Sequence, residues 1–224
     1  MISRLIAKIR FFLLRSQMGD FDQFRMIQPF DQLEHSLLQK NRELLKPHYD
    51  YYVKEVSRED MAISLELATC LYSICCVGRY EKILDVGSGF SSFVFRLYAR
   101  ETPGVCVYSV DDDEEWLHKT REFLIANNLT VKNTYRLDQF LLSKENEFDF
   151  ILNDLNFVDI RLNYSERIME ISKPNGLVIF DDVHKPEYLF PLLSRLSKLK
   201  IKVFSLKAVT FDPFGRYSLA AIKT

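Results

Sequence analysis

From Glu81 onward the chain alternates short apolar runs with helical stretches, and this alternation restricts the open folds more than any other feature. The runs are KILDV (82–86), VCVYSV (105–110), VKNTYRL (131–137), FDFILN (148–153) and GLVIFD (176–181). Helical patterns fill the intervals at 90–101, 113–127, 158–172 and 187–199. Strands apolar on both faces and separated by helices make right-handed βαβ crossovers and a mostly parallel, doubly wound sheet. The end of the chain differs: IKVFSLKAVTF, DPFG and RYSLAAIKT read as two strands joined by a tight connection. That pair is an antiparallel hairpin closing the sheet and brings the strands to seven.

The first 80 residues carry no such alternation and read as a helical extension, so the expected division is 1–80 and 81–224. Helices are predicted at 29–46 and 58–77, the second capped by Ser57, with KPHYDYYVKEV between them as an ordered loop. Residues 1–17 form a basic amphipathic pattern: Arg4, Lys8, Arg10 and Arg15 face Ile2, Leu5, Ile6, Ile9, Phe12 and Leu13. Such a helix suits docking on the body or on a second copy of the chain, contact with a membrane surface, or targeting. With 30 basic and 31 acidic side chains the chain lacks the basic excess of nucleic-acid binders. No run approaches the apolar length of a membrane span. The four cysteines form no CxxC pair, and three lie in the apolar LATCLYSICCV, which points to a reducing, cytoplasmic setting.

Only seven glycines occur, and two of them, Gly87 and Gly89, bracket Ser88 in ILDVGSGFSSFVFRL (83–97). A buried strand, an acid, a glycine turn and an apolar helix make the ligand-binding turn of a doubly wound sheet, where backbone N–H groups meet the ligand. The third glycine of a dinucleotide fingerprint is replaced by Ser92. Asp85, two residues before the turn, suits a cationic amino group better than a pyrophosphate. SVDDDEEW puts Asp111 at the end of the second strand, where an acid accepts hydrogen bonds from both hydroxyls of a ribose. Asp112 lies beside it, and Asp112–Glu115 also read as the acidic first turn of a helix.

With these motifs in place the sequence resembles the class I S-adenosylmethionine-dependent methyltransferases over about residues 81–224. The matching positions are DVGSGFS, Asp111, RLDQF with Asp138, FDFILND with Asp154, and NGLVIFDD. The resemblance implies a Rossmann-like sheet preceded by N-terminal helices, and S-adenosyl-L-methionine as cofactor. It places Asp85, Gly87, Ser88 and Gly89 by the methionine part, Asp111 and Asp112 by the ribose, and Asp138 by the adenine with Gln139 or Phe140 beside it. Asp154 would border the same site. Ser91, often glycine in the family, narrows the loop.

After the fourth strand the segment NDLNF lacks the prolines of base-modifying relatives, and the pattern is more like the metal-dependent O-methyltransferases that act on small molecules. That likeness implies Asp154, Asp181 and Asp182 as ligands of Mg²⁺ or another divalent cation that lowers the pKa of the acceptor hydroxyl. The alternative for Asp181 and Asp182 is to cap the following helix. His184 is the candidate general base, with Asp154 as its catalytic companion. Tyr49, Tyr51, Tyr52 and Met61 are candidates for lining the acceptor pocket. The reading is therefore a methyltransferase acting on a hydroxyl of a small molecule. A non-catalytic S-adenosylmethionine-binding or assembly protein and an NAD-dependent oxidoreductase are the alternatives.

Overall fold

In the computed structural model the described residues are 12, 13, 15–141 and 147–223. The basic helix expected over 1–17 lies, but for its last residues, outside them. The chain then enters α1 (Phe21–Arg25), where Asp20 and Gln23 cap each other reciprocally. A 3₁₀ turn (Phe30–Gln32), α2 (His35–Glu55) and α3 (Leu65–Gly78) follow.

Both boundaries expected for these helices move. KPHYDYYVKEV is not a loop, because α2 runs through Pro47 to Glu55. Burial outweighs the missing proline donor: Tyr49 and Tyr52 lie with ring centroids 5.2 and 5.3 Å from that of Phe90. At the start of α3 the cap is Ser64, whose hydroxyl accepts from Leu67 N at 3.0 Å, and not Ser57. Residues 59–62 are held out of the helix by Arg216, whose guanidinium takes the carbonyls of Glu59, Asp60 and Ala62 at 3.0–3.2 Å.

The alternating region folds as β1 (Lys82–Val86), α4 (Phe90–Glu101), β2 (Cys106–Asp111), α5 (Glu114–Ala126), β3 (Thr134–Arg136), α6 (Leu137–Leu141), β4 (Phe148–Asn153), α7 (Val158–Ile171), β5 (Ser172–Phe180) and α8 (Pro186–Lys198). It ends with β6 (Lys202–Ser205), α9 (Lys207–Thr210) and β7 (Leu219–Ile222). One seven-stranded sheet has the order β3-β2-β1-β4-β5-β7-β6; β1 to β5 are mutually parallel, and β7 is antiparallel to both β5 and β6.

Two expected elements are shorter or looser than the sequence suggests. The third strand keeps only three residues, since it is an edge strand whose Thr134 is engaged by the Arg121 side chain. The last two strands do pair, but their connection spans 206–218 and contains α9. That connection is organised by Asp212, which accepts from Phe214 N, Arg216 N and Arg216 Nε at 2.6–3.0 Å. Beyond β6 the sheet gains one bridge from the start of the chain: Gly19 N donates to Val203 O and Gly19 O accepts from Ser205 N.

Alternate residues of each strand serve two cores. Ile83, Phe150, Leu177, Ile179 and Ala220 pack under α2, α3, α4 and α5, so the N-terminal helices share one hydrophobic core with the sheet. Leu84, Ile151, Val178, Phe180 and Ala221 face α7 and α8. Backbone polar groups buried this way are paired along the sheet, which leaves the strand ends as the place for a ligand.

Candidate active site

At the carboxyl ends of β1, β2, β4 and β5 lies a cavity of about 650 Å³, a volume suited to a cofactor and part of a second molecule. Its floor is the turn after β1. Gly87 has φ 103°, and a Cβ there would come within 2.2 Å of the Asp154 carbonyl oxygen, so the β1 and β4 turns touch backbone to backbone. Gly87 N donates to Val110 O at 2.9 Å, Asp154 N to Val86 O at 2.7 Å. Gly87, Ser88 and Gly89 all line the cavity, and Ser91 stands beside them.

Asp111 reaches this turn from the end of β2. Its Oδ2 accepts from Ser88 N (2.7 Å) and Ser88 Oγ (2.8 Å), and its Oδ1 from Asp113 N (3.0 Å). Burial raises its pKa against these bonds. Asp112 lines the cavity next to it, while Asp113 caps α5 through Glu115 N and Trp116 N. The acidic run thus serves both the cavity and the helix start, since Asp113 and Glu114 line the cavity as well. Trp116 then turns its indole into the cavity wall, with Nε1 donating to Ser88 O at 2.7 Å.

Several residues expected in the site stand elsewhere. Asp85 is fully buried beneath the turn and is not among the residues lining the cavity: its Oδ2 takes the hydroxyls of Ser92 and Ser109, and Arg96 donates to Ser109 Oγ. Burial pushes its pKa up to about 6. Asp138 is a surface residue paired with Arg136 at 3.2 Å, and Gln139 beside it is exposed; neither lines the cavity, which Arg136 enters in their place. The short β3 passes directly into α6, and this turns the Asp138 side chain to solvent. Of the proposed lining residues Tyr52 and Met61 are in the wall, whereas Tyr49 packs on Phe90 and Tyr51 lies exposed.

Beyond the glycine turn, Asp154, Asp181 and Asp182 do converge on the cavity, but around a guanidinium. Arg161, in the first turn of α7 and 4% exposed, places Nη2 2.8 Å from Asp154 Oδ1 and Nη1 3.5 Å from Asp182 Oδ2. Arg161 Nη1 also donates to Asp181 O at 3.2 Å, and Nε to Leu155 O. Asp181 Oδ1 is taken by the Ser218 hydroxyl at 2.6 Å. Burial raises the pKa of Asp154, with Asp181 and Asp182 adding to the effect and Arg161 opposing it; burial carries Asp181 up to about 6. A divalent ion could be held by one or two of these carboxylates with water completing its shell, but here the Arg161 guanidinium lies between Asp154 and Asp182, so these residues do not fit a metal as they stand. Nor do the two acids cap α8, whose N-cap is Lys185 without a side-chain bond.

Asp182 adopts φ 58°, a left-handed conformation uncommon outside glycine, and this turns its carboxylate into the cavity. Its Oδ1 is buried without a hydrogen-bond partner among the described residues, 3.7 Å from His184 Nδ1. His184 itself is half-buried behind Asp182; Lys185, 3.6 Å from Asp182 Oδ2, is the residue that lines the cavity. The roof is residues 60–63, fastened by Arg216. Arg161, Trp116 and Arg216 were not expected from the sequence, although an arginine on the buried stripe of α7, with Leu162, Ser165, Ile168 and Met169, was a readable signal.

The chain therefore has the class I S-adenosylmethionine-dependent methyltransferase fold. Similar solved structures include the O-methyltransferase TomG of Streptomyces achromogenes, involved in tomaymycin synthesis and bound to S-adenosylmethionine: 19% identity over 85% of this chain and 91% of that one, TM-score 0.59. The O-methyltransferase of Bacillus cereus, in complex with S-adenosylhomocysteine, gives 18% identity, 91% and 96% coverage and a TM-score of 0.60. The methyltransferase PaMTH1 of Podospora anserina, also bound to S-adenosylhomocysteine, gives 15%, 88%, 97% and 0.61. No family model and no curated protein matches the sequence. Among the described residues no helix is long and apolar enough to cross a membrane.

Proposed function

We propose that this chain transfers the methyl group of S-adenosyl-L-methionine to a hydroxyl of a small molecule. The observation that carries the reading is the single cavity in which the Gly87–Gly89 turn, Asp111 and the far carboxylates of Asp154 and Asp182 share one wall. Asp111 accepts the ribose hydroxyls, with Asp112 beside it; the glycine turn faces the methionine portion; Trp116 flanks the adenine. Likeness to O-methyltransferases holding S-adenosylmethionine or its product supports the choice of cofactor.

The acceptor enters under residues 60–63, between Met61 and Asp182. Its oxygen forms a bond to the methyl carbon as the carbon–sulfur bond breaks, and the bonding pair stays on sulfur as the thioether of S-adenosylhomocysteine. The hydroxyl proton passes to the Asp182 carboxylate, behind which His184 stands ready to share it. Most of the acceleration comes from holding the oxygen in line with the methyl group. No step runs through a divalent metal, since Arg161 occupies the space between the acids. Cytoplasmic residence rests on cysteine usage alone, and contact of residues 1–17 with a membrane surface or a second copy of the chain is part of the same proposal.

Calorimetry tests the reading. S-adenosylhomocysteine is expected to bind at micromolar concentration, NAD not at all, and Asp111→Ala is expected to weaken binding at least tenfold. A wild-type chain that fails to bind S-adenosylhomocysteine overturns it.

A further inference from the structure

We propose that Arg161 is the resident cation of this site: its guanidinium stands where the divalent ion of a metal-dependent O-methyltransferase would stand, and the chain binds no metal there. The inference deepens the functional reading above and rests on it only for the word transferase; the cation site itself is a matter of geometry.

Three observations carry it. All three nitrogens of the Arg161 guanidinium are held: Nε donates to Leu155 O, Nη1 to Asp181 O at 3.2 Å, and Nη2 pairs with Asp154 at 2.8 Å, while Asn153 Nδ2 fixes the backbone by donating to the Arg161 carbonyl at 3.3 Å. A guanidinium so enclosed, and 4% exposed, is fixed by its fork of donors and does not swing aside at little cost. Second, one oxygen of each acid is already turned to a partner: Asp154 Oδ1 to Nη2 at 2.8 Å, Asp181 Oδ1 to the Ser218 hydroxyl at 2.6 Å, and Asp182 Oδ2 to the Arg161 and Lys185 cations at 3.5 and 3.6 Å, which leaves Asp182 Oδ1 open. Third, Arg161 lines the cavity beside Asp154 and Asp182, so its charge faces the acceptor.

The chemical consequence concerns the acceptor. A divalent ion chelates two adjacent oxygens and so selects vicinal donors, whereas a guanidinium with Nε and one N–H of each Nη already turned to protein oxygens offers its fixed charge and at most its remaining N–H to the acceptor. The site is therefore built for an acceptor recognised through one oxygen, with no requirement for a neighbouring hydroxyl.

Manganese paramagnetic resonance on the full-length protein, dialysed against EDTA, tests the proposal without an acceptor. The wild-type chain is expected to leave the free Mn²⁺ signal unchanged at about 100 μM, a concentration above the roughly 10⁻⁷–10⁻⁵ M at which sensor-type carboxylate sites take Ca²⁺. Arg161→Ala, which frees the carboxylates, is expected to gain one Mn²⁺ per chain, and Arg161→Ala with Asp154→Asn to lose it again. Stoichiometric binding by wild type overturns the proposal, and so does a folded Arg161→Ala chain that binds none. Where circular dichroism shows Arg161→Ala unfolded, Arg161→Gln takes its place under the same criteria. S-adenosylhomocysteine calorimetry on the same wild-type sample separates the two readings: loss of that binding sinks the methyltransferase assignment and leaves the cation result standing.

Discussion

Replacing Gly87 by alanine separates two costs that usually come together. Gly87 and Gly104 both have positive φ, 103° and 94°, but a Cβ on Gly87 meets the Asp154 carbonyl at 2.2 Å, whereas one on Gly104 meets nothing within 4 Å. Each variant carries the conformational cost of an L side chain at positive φ, about 1–2 kcal/mol. Each also gains the same reduction in unfolded-chain freedom, so that contribution cancels in the comparison. The excess for Gly87→Ala is then the overpacking of two backbone turns, about 1–3 kcal/mol. For a chain of this size 1 kcal/mol moves Tm by about 2–4 °C, so Gly87→Ala should melt roughly 2–12 °C below Gly104→Ala. Differential scanning calorimetry reads both, and S-adenosylhomocysteine affinity should fall in the first variant only. Equal melting points, within about 1 °C, would refute the claim that the β1 and β4 turns touch.

Burial raises the pKa of Asp85 to about 6 from an ordinary 3.8, so the folded chain holds a proton that the unfolded chain releases. This contribution is present below the unfolded pKa and is lost as pH rises through about 6; its size is about 3 kcal/mol. Urea unfolding should therefore show a smaller loss of stability from about pH 4 to about pH 8 in Asp85→Asn than in wild type, and parallel curves would exclude it. Arg216→Ala leaves the Asp212 carboxylate buried without its partner and frees residues 59–62; expected are a loss of about 3 kcal/mol, faster amide exchange at 59–62 and a raised KM, read by exchange mass spectrometry and kinetics. Trp116 is the one tryptophan of the chain, so S-adenosylhomocysteine should change its fluorescence, and Asp111→Ala should remove the change at equal ligand. Deleting residues 1–17 should abolish either liposome co-sedimentation or self-association, as measured by flotation and light scattering; a variant indistinguishable from wild type in both counts against any docking role.

What could be read in the sequence was what is local. Strands such as KILDV and FDFILN are apolar on both faces because helices cover both, and that condition is visible residue by residue. The glycine turn and Asp111 were legible for the same reason, since their spacing is set by one strand end and one helix start. The parts that escaped depend on partners far along the chain. Arg216 holds carbonyls more than 150 residues away and thereby delays the start of α3, which no capping pattern near Ser57 could reveal. Asp138 shows the opposite failure: its neighbours match the expected motif, yet the three-residue β3 leaves its carboxylate on the surface with Arg136. Arg161 reads as an ordinary surface charge until the phase of α7 is counted and the residue falls on the buried stripe.

The position of β7 ties together two parts of the molecule that lie far apart in the sequence. Among the described residues β6 reaches the sheet only across Leu219–Ile222, and Gly19 in turn reaches it only across β6. A proline at Ala220, which would remove one ladder donor and crowd both neighbours, thus breaks a chain of custody: β6 loses the strand it pairs with, and Gly19 loses its mooring with it. Damage at residue 220 is inherited by residue 19, about 200 positions earlier, so an epitope or cleavage site near Gly19 would report on the integrity of the sheet's far edge.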